Sequence, residues 1–282
     1  MPELPEVETV RRGLQPHLEG ASLTRVIQNR PDLRFPLPDD FVHRLTGATV
    51  TKLERRAKYL LAELSTGETL VAHLGMTGRF LVGEQKPGQF HRQAGDDPKH
   101  THIVFETNRG GRIAFNDARR FGYMDLIRTD RLKEHPYFKG LGPEPLGPDF
   151  NAKALGAALS GKKQNVKVTL LDQRIVAGLG NIYVSEALFR AHLHPERAAG
   201  SLKPAELKRL VEAVHAVLEE AIAAGGSTLK DFRAADGELG YFQHRFRVYD
   251  REGEPCPPPC KGEVRRIVQA GRSTFFCPDC QK

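Results

Sequence analysis

Cysteine is absent from this chain until position 256, tryptophan is absent throughout, and only three methionines occur in 282 residues. A disulfide framework spread through the fold is therefore excluded. No apolar run approaches the ~20 residues that a helical membrane span needs. No secretory leader is visible at the N-terminus, so the expected compartment is the cytoplasm, beside the nucleoid. Internal repeats and low-complexity tracts are also missing. Acid is in short supply: 35 Asp and Glu stand against 42 Lys and Arg, a net charge of +7. That imbalance favours a polyanionic partner, nucleic acid first. The length suffices for two domains, each with its own core.

The cysteines that are present form two close pairs, Cys256-Pro-Pro-Pro-Cys260 and Cys277-Pro-Asp-Cys280. Two such pairs can converge as four thiolates on one tetrahedral zinc ion. Four sulfur ligands leave no open position, so the metal would hold a fold rather than catalyse. Two disulfides are the alternative, which the lack of a leader disfavours. Lys261, Arg265, Arg266 and Arg272 between the pairs would place cations on the knuckle. The first pair has three intervening residues where two are usual.

Texture changes along the chain. Val7, Val10 and Leu14 recur at helical spacing over Pro5–Leu18, and Gly20 follows as a stop. From Leu23 to about Arg128 come short β-branched and aromatic runs: Thr49–Leu53, Tyr59–Leu64, Thr69–His73, His102–Glu106 and Arg112–Phe115. The last two flank Asn108-Arg-Gly-Gly111 and read as a hairpin, and the set implies a sandwich or barrel. Residues 131–150 are rich in proline and glycine, a linker or hinge. Helical spacing then returns over Ala152–Leu159, Val166–Ile175, Ile182–Ala191 and Pro204–Ala224. A glycine-rich stretch, Gly225–Gly240, leads into the cysteines. The expected order is a β-rich domain (1–130), a linker (131–150), a helical domain (151–235) and a zinc knuckle (236–282). The fold class is α+β with two domains.

Several groups could carry chemistry. The chain starts Met1-Pro2-Glu3-Leu4-Pro5-Glu6. Removal of Met1 would expose the secondary amine of Pro2, which can attack an electrophilic carbon and form an imine. Amines of the N-terminal class titrate near ~8, leaving a useful unprotonated fraction. Glu3 and Glu6 would stand beside it for proton transfer; alternatively, Pro5 and the acids simply start a helix. Gly178-Leu-Gly180-Asn181 precedes a helix, where free N–H groups can hold phosphate. No strand precedes it, which excludes a dinucleotide fold and leaves a helix–turn–helix docking arrangement or a plain turn. His73-Leu-Gly-Met76-Thr-Gly78 and Asn116-Asp-Ala-Arg119-Arg120-Phe121-Gly122 place bulky groups in glycine-flanked turns. Apolar wedges beside arginines can enter a base stack, although Met76 and Phe121 also suit a core. His100 and His102 lack a third ligand nearby, so a metal pair there is weak.

Taken together these pieces resemble one family, the formamidopyrimidine-DNA glycosylases of base-excision repair. The resemblance rests on Pro2 to Glu8, Lys58, the Met76 turn, Arg119 to Gly122, Leu171-Asp172, Gly178 to Tyr183, Gly226-Ser-Thr228, Asp236-Gly237 and Gly271 to Phe275. These run in order over essentially the whole chain. It implies an N-terminal helix with a β-sandwich, a helix-two-turn-helix domain and a zinc-finger β-hairpin at the C-terminus. It further implies a bifunctional glycosylase and abasic-site lyase that flips 8-oxoguanine or a formamidopyrimidine out of double-stranded DNA. By likeness Pro2 is the nucleophile, Glu3 protonates the sugar, and Lys58 and Arg272 assist β- and δ-elimination. Met76, Arg119 and Phe121 fill the vacated space; His100, Arg120, Lys162 and Asn181 hold phosphates; Lys167 reaches toward the lesion strand. Gly226–Tyr241 would close over the extruded base. Cys256, Cys260, Cys277 and Cys280 would bind one structural Zn2+, the only cofactor. A monomer is expected. The competing readings are an endonuclease VIII-like enzyme for oxidised pyrimidines and a zinc-dependent DNA-binding protein without catalysis.

Overall fold

The computed structural model describes residues 1–84, 97–227 and 240–282. The chain divides into two compact units. The first holds Met1–Lys139 with the described part of Gly225–Gly240; the second holds Gly140–Ala224 and Tyr241–Lys282. The cysteine tail thus belongs to the same unit as the helices.

The first unit opens with helix α1 (Leu4–Leu18), whose buried stripe is Leu4, Val7, Val10, Leu14 and Leu18. Pro5 sits in its first turn, where a missing N–H costs nothing. Strand β1 (Leu23–Gln28) and the short helix α2 (Phe41–Leu45) follow. Next come β2 (Val50–Arg56), β3 (Tyr59–Leu64), β4 (Glu68–His73), β5 (Arg79–Glu84), β6 (Thr101–Thr107), β7 (Gly111–Asn116) and β8 (Tyr123–Arg128). They build two four-stranded antiparallel sheets, ordered β1-β6-β7-β5 and β2-β3-β4-β8. One apolar core joins Val10 and Leu14 to Leu53, Leu60, Ile103, Phe105, Ile113 and Phe115, as a sandwich requires. The expected hairpin closes between β6 and β7, with Gly110 in the left-handed region at φ +76°.

The second unit contains α3 (Ala152–Leu159), α4 (Val166–Leu171), α5 (Asn181–Arg190), α6 (Pro204–Ala223) and the strand pair β9 (Arg265–Gln269) and β10 (Arg272–Phe276). Asn151 and Asn165 cap α3 and α4 by accepting the N–H groups of Ala154 and Val168. Apolar spacing carries the expected helix on to Ile175, but α4 stops at Leu171. Asp172 accepts the Arg174 N–H at 3.0 Å, an Asx-turn that competes with the helix. Leu170, Tyr183, Leu188, Leu210, Val214 and Phe242 fill this unit's core. Among the described residues, no helix is long and apolar enough to cross a membrane.

Candidate active site and nucleic-acid interface

Pro2 and Glu3 are buried at the start of α1, beneath a half-exposed Met1. Glu3 occupies the N-cap position and its N–H donates to Glu6 Oε2 at 2.8 Å. The other oxygen, Glu6 Oε1, accepts both the Ser227 N–H (2.8 Å) and the Ser227 hydroxyl (3.0 Å). Glu6 is therefore a tie between the chain start and Gly226–Ser227, 221 residues later, a task that the sequence did not show. A Cβ on Gly226 would lie 3.1 Å from the Glu6 carboxylate, and one on Gly240 2.3 Å from the Gly226 carbonyl, so both positions need glycine. The segment expected to cap the extruded base, Gly226–Tyr241, lies outside the described residues between Ser227 and Gly240, and with it Thr228, Asp236 and Gly237.

Lys58 is buried in the two-residue turn between β2 and β3, after Ala57 at φ +53°. It stands next to a row of rings at one end of the second sheet. Tyr59 pairs with His73 and His73 with Tyr123 across β3, β4 and β8. His73 stacks on Tyr123 with centroids 5.0 Å apart, and the Tyr123 hydroxyl donates to Tyr59 at 3.0 Å. Tyr137 stacks on Tyr59 and also packs against Tyr123, with centroids 5.8 Å and 5.2 Å apart. Burial, then the charges of Lys58 and Arg34, push the His73 imidazole down to about 4. Neutral Nδ1 can then accept the Gly75 N–H at 3.0 Å, fixing the turn that carries Met76.

That turn and the Arg119 loop meet on one buried carboxylate. Asp117, fully buried, accepts the Thr77 hydroxyl and the Arg119 N–H (3.3 Å) on Oδ1 and the Gly122 N–H (2.7 Å) on Oδ2. Its own N–H donates to the His100 carbonyl and its carbonyl meets His102 Nε2 at 2.8 Å. His102 is thus a structural prop rather than a metal ligand. Gly75, at φ +63°, packs so tightly on the Phe121–Gly122 backbone that a Cβ would come within 2.3 Å. The outcome is exposure of the wedge side chains: Met76 is 37% and Phe121 39% accessible. They are not core. Arg119 lies over the Phe121 ring, 4.7 Å from its centroid. Asp117 stands inside the Asn116–Gly122 motif, but only its burial in the fold reveals this task.

In the second unit Asn181 opens α5, and its Nδ2 donates to the Ser273 carbonyl at 2.8 Å. This ties the Gly178–Gly180 turn to the β9–β10 hairpin, whose tight turn has Ala270 at φ +48° and Gly271 at φ +73°. Arg272 is exposed immediately after that turn, and Lys162 is exposed after α3. Lys167 departs from expectation. It is fully buried on α4, not exposed as a lysine's place in the sequence suggests. Glu186 on α5, missed by sequence reading, is also fully buried. Its carboxylate accepts N–H groups of Arg247, Val248 and Tyr249 at 2.9–3.1 Å, while burial raises its pKa. Tyr249 in turn packs edge-on against Phe275 of β10.

The four cysteine Sγ atoms lie within 4.8 Å of one another. Cys256 and Cys280 are 3.7 Å apart and Cys260 and Cys277 3.8 Å. These are not disulfides, whose sulfurs would sit about 2.05 Å apart. Tetrahedral zinc with Zn–S bonds of about 2.3 Å sets sulfurs about 3.8 Å apart. The donor set fits. The extra proline in the first pair leaves this convergence intact. Gln281 locks the knuckle by accepting the Cys277 N–H and donating to the Leu193 carbonyl, both at 2.8 Å.

Residues 1–124 match the model of the formamidopyrimidine-DNA glycosylase N-terminal domain, and 141–233 that of the H2TH domain of the same enzyme. The chain belongs to the formamidopyrimidine-DNA glycosylase family. Residues 253–282 match the zinc finger found in FPG and IleRS, so the four-cysteine site is a structural zinc site. The formamidopyrimidine-DNA glycosylase of Caulobacter sp. (strain K31) is 63% identical over 286 residues, covering 100% of both chains. The crystal structure of MutM (Fpg) from Thermus thermophilus superposes with a TM-score of 0.84 at 43% identity, covering 99% of this chain and 98% of that one. A Lactococcus lactis Fpg variant in complex with a Fapy-dG containing DNA gives 0.88 at 34%, with both chains fully covered. The sandwich, helical domain and zinc hairpin are therefore the fold of this family.

Proposed function

We propose that this protein excises oxidised purines, 8-oxoguanine and formamidopyrimidines, from duplex DNA and then cleaves the strand as an abasic-site lyase. The observation that carries this is Pro2-Glu3 set just before α1, with Glu3 at the N-cap and held there by Glu6, in a chain matching glycosylases along its full length. The nucleophile requires removal of Met1. The freed Pro2 nitrogen attacks the anomeric carbon, the glycosidic C–N bond breaks, and the base leaves with a proton. Glu3 protonates the ring oxygen as the sugar opens, giving a cationic imine. Loss of the adjacent C2′ proton, assisted by Lys58, expels the 3′-phosphate; a second elimination, assisted by Arg272, expels the 5′-phosphate. Forming a covalent intermediate divides one hard cleavage into easier steps.

Met76, Arg119 and Phe121 occupy the place of the flipped nucleotide. Arg119's planar fork hydrogen-bonds the base left without a partner, cytosine. His100, Arg120, Lys162 and Asn181 hold phosphates. Bound zinc holds the hairpin in shape, and the chain's own groups do the chemistry.

Borohydride reduces an imine to a stable amine, so the correctly processed protein should be trapped on an oligonucleotide containing 8-oxoguanine. Absence of a crosslink would favour a binding-only protein. Faster excision of thymine glycol than of 8-oxoguanine would move the protein to the pyrimidine branch.

A further inference from the structure

Beside the wedge lies an open pocket of about 380 Å³, lined by Leu33, Arg34, Arg119, Arg120 and Phe121. Three of its five lining side chains are guanidinium groups. Among the described residues none of the three has a carboxylate within ion-pair distance; the nearby Asp32 is already paired with Arg30 at 2.6 Å. Like charges gathered without acids raise the energy of the free protein, and a polyanion or an acceptor-rich ligand relieves it. The floor is Leu33, 5% accessible, and one wall is the exposed Phe121 ring. An apolar floor, an aromatic wall and donors at the rim suit the edge of a planar base better than a phosphate, which needs donors on several sides.

Arg34 is not a bystander to this pocket. Its N–H donates to the Gly122 carbonyl at 3.0 Å, which fastens the 32–36 loop to the wedge loop. Its guanidinium stands 5.5 Å from the Phe35 ring, and Phe35 packs edge-on against Tyr123 at 5.3 Å. The loop is therefore buttressed on two sides, and Arg34 is offered at a defined place rather than on a loose tether.

We infer that Arg34 is a second reader of the base opposite the lesion, donating to its acceptor edge beside Arg119 and so setting which pairs are repaired. This rests on the glycosylase reading above, which supplies the estranged base. Both pairing edges carry an amino donor, but cytosine's offers two adjacent acceptors, N3 and O2, where adenine's offers N1 alone, so two guanidinium groups discriminate between them.

The test is single-turnover excision of 8-oxoguanine placed opposite cytosine and opposite adenine, by the unsubstituted protein, Arg34→Ala and Arg34→Lys. Arg34 is exposed, so its loss leaves the fold standing, and borohydride trapping of each variant reports an intact imine chemistry. The expected result is a loss of about tenfold opposite cytosine for both variants, with less than about twofold opposite adenine, the size of one good base contact. The lysine variant keeps the charge but not the fork, so it should fail in the same way. Equal slowing on both duplexes, or full rescue by lysine, would mark Arg34 as a phosphate contact and overturn the inference. Failure of the unsubstituted protein to trap would overturn the glycosylase reading itself, and this inference with it.

Discussion

The wedge in the first unit and the arginine-bearing hairpin in the second solve the same problem by different means. Each must hold a few exposed side chains at the end of a short turn. In the first unit the Met76 turn and the Arg119 loop share one buried carboxylate, Asp117, and close backbone contact at Gly75. Nothing external is needed. In the second unit the hairpin has only two strands, β9 and β10, and Val268 on it is 68% exposed. A pair this small buries too little apolar surface to stand alone. Four cysteines, Gln281 and Asn181 supply the missing restraint. Where a sandwich core lies underneath, hydrogen bonds suffice; where none does, metal takes over.

The sharpest way to break this comparison is to remove the metal. Structural zinc contributes on the order of 10 kcal/mol to small fingers, so Cys277→Ser or exhaustive chelation should unfold the hairpin. Backbone NMR should show β9–β10 amides collapsing while β6–β7 amides keep their shifts, and duplex affinity should fall at least about a hundredfold as Arg272 and its neighbours are released. Retained hairpin signals in a zinc-free sample would show that the protein core holds it after all. The converse variant is Asp117→Asn, which replaces one acceptor by a donor against the N–H and hydroxyl groups now bonded there. It should cost about 1–3 kcal/mol and slow excision severalfold with zinc content unchanged. Unaltered excision would show that the wedge turns hold themselves.

The smallest effect sharpens the account of the wedge side. His73 sits near 4 because burial, then Lys58 and Arg34, disfavour its charged form. The unfolded state therefore binds the proton first. His73 contributes stability above about pH 6.5 that is lost as pH falls toward about 4. An NMR titration should find the imidazole neutral throughout that window, and a midpoint near 6.5 would contradict the buried-acceptor role toward Gly75.

Much of this was legible beforehand, and unevenly. The cysteine pairs were readable because ligand spacing is a local property, and the extra proline did not disturb their convergence. The α1 stripe, the β6–β7 hairpin and the wedge motifs were readable from period and glycine placement. What failed was anything set by distant partners. Glu6 binding Ser227 and Glu186 binding the Arg247–Tyr249 backbone join segments far apart in the chain, and no periodicity encodes that. Lys167 is of the same kind: a lysine reads as a surface group, yet this one is fully buried. Helix α4 ended early because Asp172 competes for the backbone, a choice that apolar spacing cannot show.

The central claim is that an unblocked Pro2 nitrogen bonds to the deoxyribose of damaged DNA. After borohydride trapping on 8-oxoguanine duplex, digestion and mass spectrometry locate the adduct directly. The account predicts one reduced sugar adduct on the peptide beginning Pro2-Glu3-Leu4, in protein lacking Met1. An adduct on Lys58 or another lysine, or full activity from protein that retains Met1, would contradict it.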